Sequence, residues 1–231
     1  MCWSKNVSLT FTILGTALGY YSYNNIDKLW GVSIYYFTLM QMIHYLGYIV
    51  INKCNNNLNY FLTYLNYIHI AFQPFFSSLG FYGLFRGYKI LSNKQLETYK
   101  SIIIFSLIPC LFLLLKIIPF EPAYKLDKTN GVYNGKACSY QGKYHISFRL
   151  PLRTKPYYVT PSMFSHMLFL FGPFLLFNNI TRLIGLFLFV TAIGPSFLLN
   201  IDPAETSSLW CSNSIAQFIL SILIIKFLKK N

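Results

Sequence analysis

The chain has 231 residues and a formal net charge of +13, yet only 11% of its residues are charged and 55% are hydrophobic. Soluble domains are about a quarter charged, so this composition excludes an ordinary soluble globular protein. The positive charge does not indicate nucleic-acid binding, because the basic residues lie in links between apolar segments and form no basic face. Such links predict anionic lipid headgroups as the partner.

Seven segments are long and apolar enough to cross a bilayer, which needs about 20 mostly apolar residues. They cover residues 7–23, 30–51, 58–85, 99–120, 160–177, 180–199 and 203–228. A polar loop, residues 121–159, separates the fourth from the fifth, and its alternating stretch 145–150 is typical of a short strand or hairpin. The sequence therefore predicts an all-α, polytopic transmembrane bundle of seven helices, forming one domain over residues 1–231.

The first segment has a second interpretation. Residues 1–19 could be a cleaved signal peptide, with Lys5 as its basic end and a small-residue site closing at Gly19. The apolar run continues beyond Gly19, however, so we expect a retained helix.

Local signals mark several helix boundaries. Ser92 and Gln95 have the spacing of a capping box, as do Asp202 and Glu205 at the start of the seventh segment. Prolines inside four segments predict kinks, because each proline removes one backbone hydrogen bond. These prolines are Pro74, Pro109, Pro173 and Pro195.

The third segment carries a polar stripe along one helical face. Asparagine, threonine, histidine, glutamine and serine recur there at helical offsets, within about a third of the circumference. The stripe consists of Asn59, Thr63, Asn66, His69, Gln73 and Ser77. Unpaired polar groups in hydrocarbon each cost several kcal/mol, so the stripe should face the interior of the bundle.

Helical rise places further polar residues at the depth of this stripe. His44, His69 and His166 come to roughly 9–16 Å below the face that holds the amino terminus. We therefore predict a binding cavity that opens to that face and is lined by Gln41, His44, Asn66, His69, Gln73, His166 and Asn213.

Three chemical readings of this cavity compete. The histidines could be interhelical hydrogen-bond partners. Alternatively, His44, His69 and His166 could bind zinc and activate water, with Ser162 and Glu205 as candidate catalytic residues. A ligand or ion pathway is the third. No histidine pair shares one helix at metal-binding spacing, so no cofactor is predicted, and zinc remains an alternative. Glu205 could also serve only as a helix-capping residue stabilised by the helix dipole.

Basic residues and cysteines predict the orientation. Outside the long loop, the links on the amino-terminal face hold two basic residues and those on the other face hold eight, so the amino terminus should be extracytoplasmic. Cysteines fall at or near the same face, where an oxidising compartment would allow disulfides. Cys138 could pair with Cys54, with Cys211 or with neither.

Several motifs resemble an uncharacterised family of polytopic membrane proteins from giant DNA viruses and some bacteria. They are Gln41-x-x-His44, His69-Ile-Ala-Phe-Gln-Pro-Phe-Phe, His145-Ile-Ser-Phe, Ser165-His166-Met and Glu205-x4-Trp210-Cys211-x2-Ser214-Ile215. We expect further loop cysteines in that family, whereas this loop has only Cys138, so the resemblance supplies no disulfide. The resemblance implies a membrane protein of viral or bacterial origin, without an assigned activity.

The leading interpretation is a multi-pass membrane protein, non-enzymatic, with a cavity suited to a small-molecule ligand or a structural or receptor-like role. The first alternative is a membrane-embedded, zinc-dependent hydrolase. The second is a transporter of small solutes or ions, for which the repeated Gly-Pro pairs at Gly172 and Gly194 are the indication.

Overall fold

A computed structural model describes residues 4–117, 135–152 and 163–230 of the chain. These residues form eight α-helices and one two-stranded antiparallel sheet. The elements are α1 (Lys5–Asn25), α2 (Lys28–Ile49), α3 (Asn57–Gly87), α4 (Asn93–Phe105), α5 (Leu107–Leu115), β1 (Cys138–Gln141), β2 (Ile146–Arg149), α6 (Met163–Phe171), a 3-10 helix (Gly172–Leu176), α7 (Asn179–Leu198) and α8 (Pro203–Lys230).

The mainly helical fold is as predicted, with two interruptions at prolines. The fourth predicted helix is divided at Ser106, three residues before Pro109, into α4 and α5. The fifth changes to a 3-10 helix at Gly172, because Pro173 cannot donate the next backbone hydrogen bond. Pro74 and Pro195, by contrast, lie inside continuous helices.

Two local predictions are confirmed. Ser92 and Gln95 form a reciprocal capping box at the start of α4. The alternating stretch of the long loop forms the hairpin, in which Cys138 pairs with Arg149 and Gln141 with Ile146. Residues 121–134 and 153–159 of that loop are outside the described residues, as are 118–120 of the predicted fourth helix and 160–162 of the fifth.

Seven transmembrane spans are not confirmed. Within the described residues, two helical stretches are long and apolar enough to cross a membrane: Asn93–Leu115, with mean hydropathy 2.0, and Asn179–Leu198, with 1.7. A third is possible if Ala204–Cys211 and Asn213–Lys230, which meet at 46°, count as one span. Helices α2 and α3 are long enough, but their many polar residues and tyrosines lower the mean hydropathy.

Helices α1, α2 and α3 pack closely because glycines occupy their contacts. A Cβ added to Gly31 would lie 2.6 Å from the Cα of Tyr23, and one added to Gly80 would lie 2.3 Å from the Oγ of Ser33. Small residues at helix crossings let backbones approach, which is common in membrane helix pairs. The close contacts therefore depend on the missing side chains.

Asp27 fixes the end of this three-helix unit. Its Oδ1 accepts a hydrogen bond of 2.8 Å from the Leu29 amide and so caps α2. Its Oδ2 accepts from Nε and Nη2 of Arg86 at 2.9 and 2.7 Å. The α1–α2 turn is thereby attached to the last turn of α3.

Polarity is distributed unusually across the molecule. Many polar side chains are buried, among them Gln41, His44, Asn59 and Asn66, each 0% exposed. Large apolar side chains are exposed on α1, α2, α4, α5, α7 and α8, reaching 87% at Leu198. The described part of the chain thus buries a group of polar side chains beside a large aromatic and aliphatic core, and it leaves many large apolar side chains on its surface.

The glycine contacts generate a stability prediction. We expect Gly31→Ala to lower the free energy of unfolding by about 1–3 kcal/mol, because the new methyl group would overlap the backbone of Tyr23. Gly194→Ala is the matched control, since its nearest neighbour would be Val190 Cγ1 at 3.9 Å. Denaturation in detergent measures both, and equal stability of the two variants would contradict the close packing.

Candidate functional site

The end of the polar stripe nearest the start of α3 holds the hairpin in place. The Asn59 side chain donates to the Ser139 carbonyl at 2.8 Å and accepts from the Ser139 amide at 2.9 Å, as a neighbouring strand would. Thr63 Oγ1 lies 2.8 Å from Ser139 Oγ. A disulfide between Cys54 and Cys138 adds a covalent link between the α2–α3 connection and β1. This pairing resolves the alternatives for Cys138, and Cys211 is a buried free thiol.

Glu205 holds the hairpin from its other side. Its Oε2 accepts from the Lys143 amide at 3.0 Å, and its Oε1 accepts from the Tyr144 amide at 2.5 Å and from the His145 amide. The carboxylate is 1% exposed and approaches so closely that a Cβ on Gly142 would lie 2.7 Å from Oε2. Three successive backbone N–H groups thus converge on one buried carboxylate.

The predicted capping box at α8 is therefore wrong in its second half. Asp202 does cap the helix, since its Oδ1 accepts from the Ala204 amide at 2.8 Å. Glu205 does not reach back to the amide of Asp202. Its carboxylate instead binds the hairpin turn, which offers three N–H groups where the helix start would offer only the Asp202 amide. This structural role accounts for Glu205 without catalysis. The other catalytic candidate, Ser162, is outside the described residues.

His44 contacts His145, the one histidine of the chain that was not among the predicted cavity residues. The two ring centroids are 4.7 Å apart in an edge-on arrangement. His145 Nδ1 accepts from the Ile146 amide at 2.6 Å and lies 3.2 Å from the Tyr48 hydroxyl. Burial lowers the pKa of His145 to about 3, so its ring is neutral at pH 7. The sequence analysis did not include His145 in the site, because on the predicted strand it shares a face with Ser147 and Arg149 and alternation therefore does not predict its burial.

His69 forms a reciprocal pair with Tyr36 of α2. Its Nε2 donates to the Tyr36 carbonyl at 2.8 Å, and the Tyr36 hydroxyl donates to the His69 carbonyl. The two rings stack with centroids 4.0 Å apart. Tyr36 was not predicted, because nothing in its local sequence distinguishes it from the many other tyrosines.

Two predicted glutamines converge on Cys211 of α8. Gln41 Nε2 donates to the Cys211 carbonyl at 2.7 Å, and Gln73 Nε2 donates to its Sγ at 2.9 Å. The remaining stripe residues are also buried, with Asn66 at 0% and Ser77 at 5% exposure. The prediction that the polar stripe of α3 faces the interior is confirmed.

The predicted three-histidine group is not assembled as a metal site. Among the described residues, no three His, Cys, Asp or Glu side chains are arranged to hold a metal ion. His44 faces His145, His69 pairs with Tyr36, and His166 lies on α6 beside a cavity. The arrangement therefore gives zinc-dependent hydrolysis no ligand set in this part of the chain.

A cavity of 380 Å³ lies between α3, α6, α7 and α8. Of the predicted cavity residues, Gln73 and His166 line it, while Gln41, His44, Asn66 and His69 do not. Asn213 lies elsewhere, in a groove between α7 and α8. The lining consists of Ile70, Gln73, His166, Met167, Leu170, Phe171, Ala192, Ile193, Ser196, Phe197, Asn200, Ile201, Thr206, Ser207 and Trp210.

Three lining residues carry buried polar atoms without a hydrogen-bond partner. They are His166 Nδ1 on α6, Ser196 Oγ on α7 and Ser207 Oγ on α8. His166 is 3% exposed and Ser196 is 9% exposed. Other buried atoms, such as those of the Asn66 amide, are also unpartnered, but these three border a space in which a bound molecule could supply the missing hydrogen bonds.

Fold and site together define a mainly helical protein with an apolar outer surface, helices able to span a membrane, and an internal cavity. The chain belongs to the family of unknown function DUF5765, which matches residues 6–231. No curated protein and no solved structure matches it.

The Glu205 contacts generate a second prediction. Glu205→Gln removes the negative charge and one acceptor, so we expect the free energy of unfolding to fall by about 2–4 kcal/mol, since hydrogen bonds to charged groups are the stronger class. Hydrogen exchange at the amides of residues 143–145 should accelerate.

Glu97→Gln is the control, because Glu97 forms only an exposed pair with Lys100 and should contribute less than about 1 kcal/mol. Unchanged exchange at residues 143–145 in Glu205→Gln would contradict the role given to this carboxylate.

Proposed function

We propose that this chain is a multi-pass integral membrane protein that binds a small molecule in the cavity between α3, α6, α7 and α8. The observation that carries the proposal is the cavity itself. Its volume of 380 Å³ is within the range of small-molecule sites, and its lining combines nine apolar residues with a few polar ones.

The exposed apolar side chains and the buried polar stripe together support embedding in a bilayer. Exposed leucine and phenylalanine side chains would contact acyl chains, while the polar stripe of α3 is shielded by α2, α8 and the hairpin. Helix α2, with 22 residues, is about 33 Å long, enough to cross a hydrocarbon core. The proposal therefore includes α1, α2 and α3 among the spans, although their mean hydropathy is low.

Serine and threonine hydroxyls inside the helices add to this argument. Thr12, Thr38 and Thr191 donate to the carbonyl one turn earlier, at 2.8, 2.7 and 2.7 Å. Such bonds satisfy a hydroxyl without water, as Ser and Thr do in transmembrane helices.

The proposed orientation places the hairpin outside the cytoplasm. The Cys54–Cys138 disulfide lies at that end, and disulfides persist in oxidising compartments. Asp27 and Arg86 then lie at the cytoplasmic end, where lysines and arginines of the short links would meet anionic headgroups.

A source in giant DNA viruses or bacteria rests on the motif resemblance alone. Those motifs include residues with structural contacts here, notably Gln41, His69, Glu205 and Cys211. No contact among the described residues favours the hydrolase or the transporter over ligand binding.

Filling the cavity tests the proposal. Ala192 lines the cavity and is 2% exposed, so Ala192→Trp would occupy part of its volume. We expect mass spectrometry of solvent extracts to find a small molecule that co-purifies with the wild type and is lost from Ala192→Trp, provided that variant elutes as a folded protein.

Ala216→Trp is the matched control, because Ala216 is exposed in the separate groove between α7 and α8 and does not line this cavity. It should retain the same molecule as the wild type. Identical extracts from all three proteins would contradict a ligand site in this cavity.

A further inference from the structure

We infer that the ligand of this cavity is an amphiphile with an uncharged, hydrogen-bonding head group, taken up from the surrounding bilayer. The inference rests on the proposed function and specifies its substrate class. It follows from how the lining residues are arranged along the cavity, from the absence of charge among them, and from where the cavity reaches the surface.

The polar lining residues gather at the hairpin end. Helix α7 ends and α8 begins at that end, where Glu205 contacts the hairpin turn. Ser196 and Asn200 lie at the end of α7, Thr206 and Ser207 in the first turns of α8, and His166 near the start of α6.

Part of the apolar lining extends away from the hairpin, whereas Met167, Phe197 and Ile201 lie at the level of the polar residues. Leu170, Phe171, Ala192 and Trp210 lie about one turn deeper than the polar residues on their own helices, roughly 5–6 Å further from the hairpin end. Gln73 is the polar exception at depth, and its amide is already bonded to Cys211. A molecule that fits this division has a polar head beside α8 and a hydrocarbon tail directed toward the middle of the bundle.

The head group should carry no net charge. Among the residues that the structure describes, no Lys, Arg, Asp or Glu lines the cavity, so these residues offer a buried phosphate or carboxylate no counter-charge. The atoms available to the head group are His166 Nδ1, Ser196 Oγ and Ser207 Oγ, none of which has a hydrogen-bond partner. They suit a hydroxyl or amide, which can both donate and accept hydrogen bonds, and an ester carbonyl, which can accept them.

The cavity reaches the outer surface through apolar side chains. Phe197 belongs to the lining and is 80% exposed, and the next residue, Leu198, is 87% exposed. In the proposed bilayer, this rim faces acyl chains. An amphiphile could therefore enter sideways without crossing the aqueous phase.

The test compares three probes that share chemical parts: monooleoylglycerol, the phosphate-bearing oleoyl lysophosphatidic acid, and glycerol. Binding to the full-length protein in detergent is measured by native mass spectrometry over a concentration series. We expect monooleoylglycerol to bind to the wild type and to Ala216→Trp. Its affinity for Ala192→Trp should be at least tenfold lower. To the wild type it should bind at least tenfold more tightly than the lysophosphatidic acid does.

A milder pair of variants tests the head-group contacts. Ser196→Ala should weaken monooleoylglycerol about fivefold, the effect of one lost hydrogen bond. Ser22→Ala is the matched control, because Ser22 Oγ is equally buried and unpartnered but lies on α1, away from the cavity. Equal binding by the two variants would overturn the head-group assignment.

Other outcomes separate this inference from the proposed function. Equal or tighter binding of the lysophosphatidic acid would overturn the uncharged head. If the extracts contain only a water-soluble molecule and no probe with an acyl chain binds, the inference of an amphiphilic ligand is wrong, while the proposal that the cavity binds a small molecule is unaffected. If Ala192→Trp alters neither extracts nor probe binding, both proposals fail.

Discussion

The polar stripe of α3 needs partners, because an amide or imidazole in hydrocarbon without a hydrogen bond costs several kcal/mol. Each part of the fold supplies some of them. The hairpin takes Asn59 and Thr63, α2 takes His69 through Tyr36, and α8 takes Gln73 through Cys211. The stripe thereby sets which elements surround α3 and leaves apolar side chains on the outside.

The hairpin is the part of the long loop that this requirement shapes most clearly. Asn59 imitates a third strand, Glu205 gathers the amides of the turn, and the Cys54–Cys138 bond joins strand to helix. Because Glu205 also belongs to the first turn of α8, the hairpin and the polar end of the cavity share one support. A change in the hairpin would therefore shift the positions of Thr206 and Ser207.

Helical periodicity allowed much of this to be predicted. The stripe, the hairpin, the Ser92 capping box and the inclusion of Gln73 and His166 in a cavity all follow from spacing and helical rise. Spacing could not tell that Glu205 would bind a distant turn, since the competing amides lie about sixty residues earlier in the chain. Nor could the depth of His44 in the bundle show that its ring would face His145. Helical rise gives the height of a residue along the helix axis but not the direction in which its side chain points around that axis. Asn213 was misplaced for the same reason.

The account stands on α1 and α2 lying in lipid although their hydropathy is modest. Spin labels at Ile13 and Leu39, which are 62% and 47% exposed, test this in liposomes against a label at the exposed link residue Asn55. The account predicts that the two helix positions collide readily with dissolved oxygen and rarely with a water-soluble nickel chelate, while Asn55 shows the reverse. Nickel accessibility at Ile13 and Leu39 equal to that at Asn55 would contradict it.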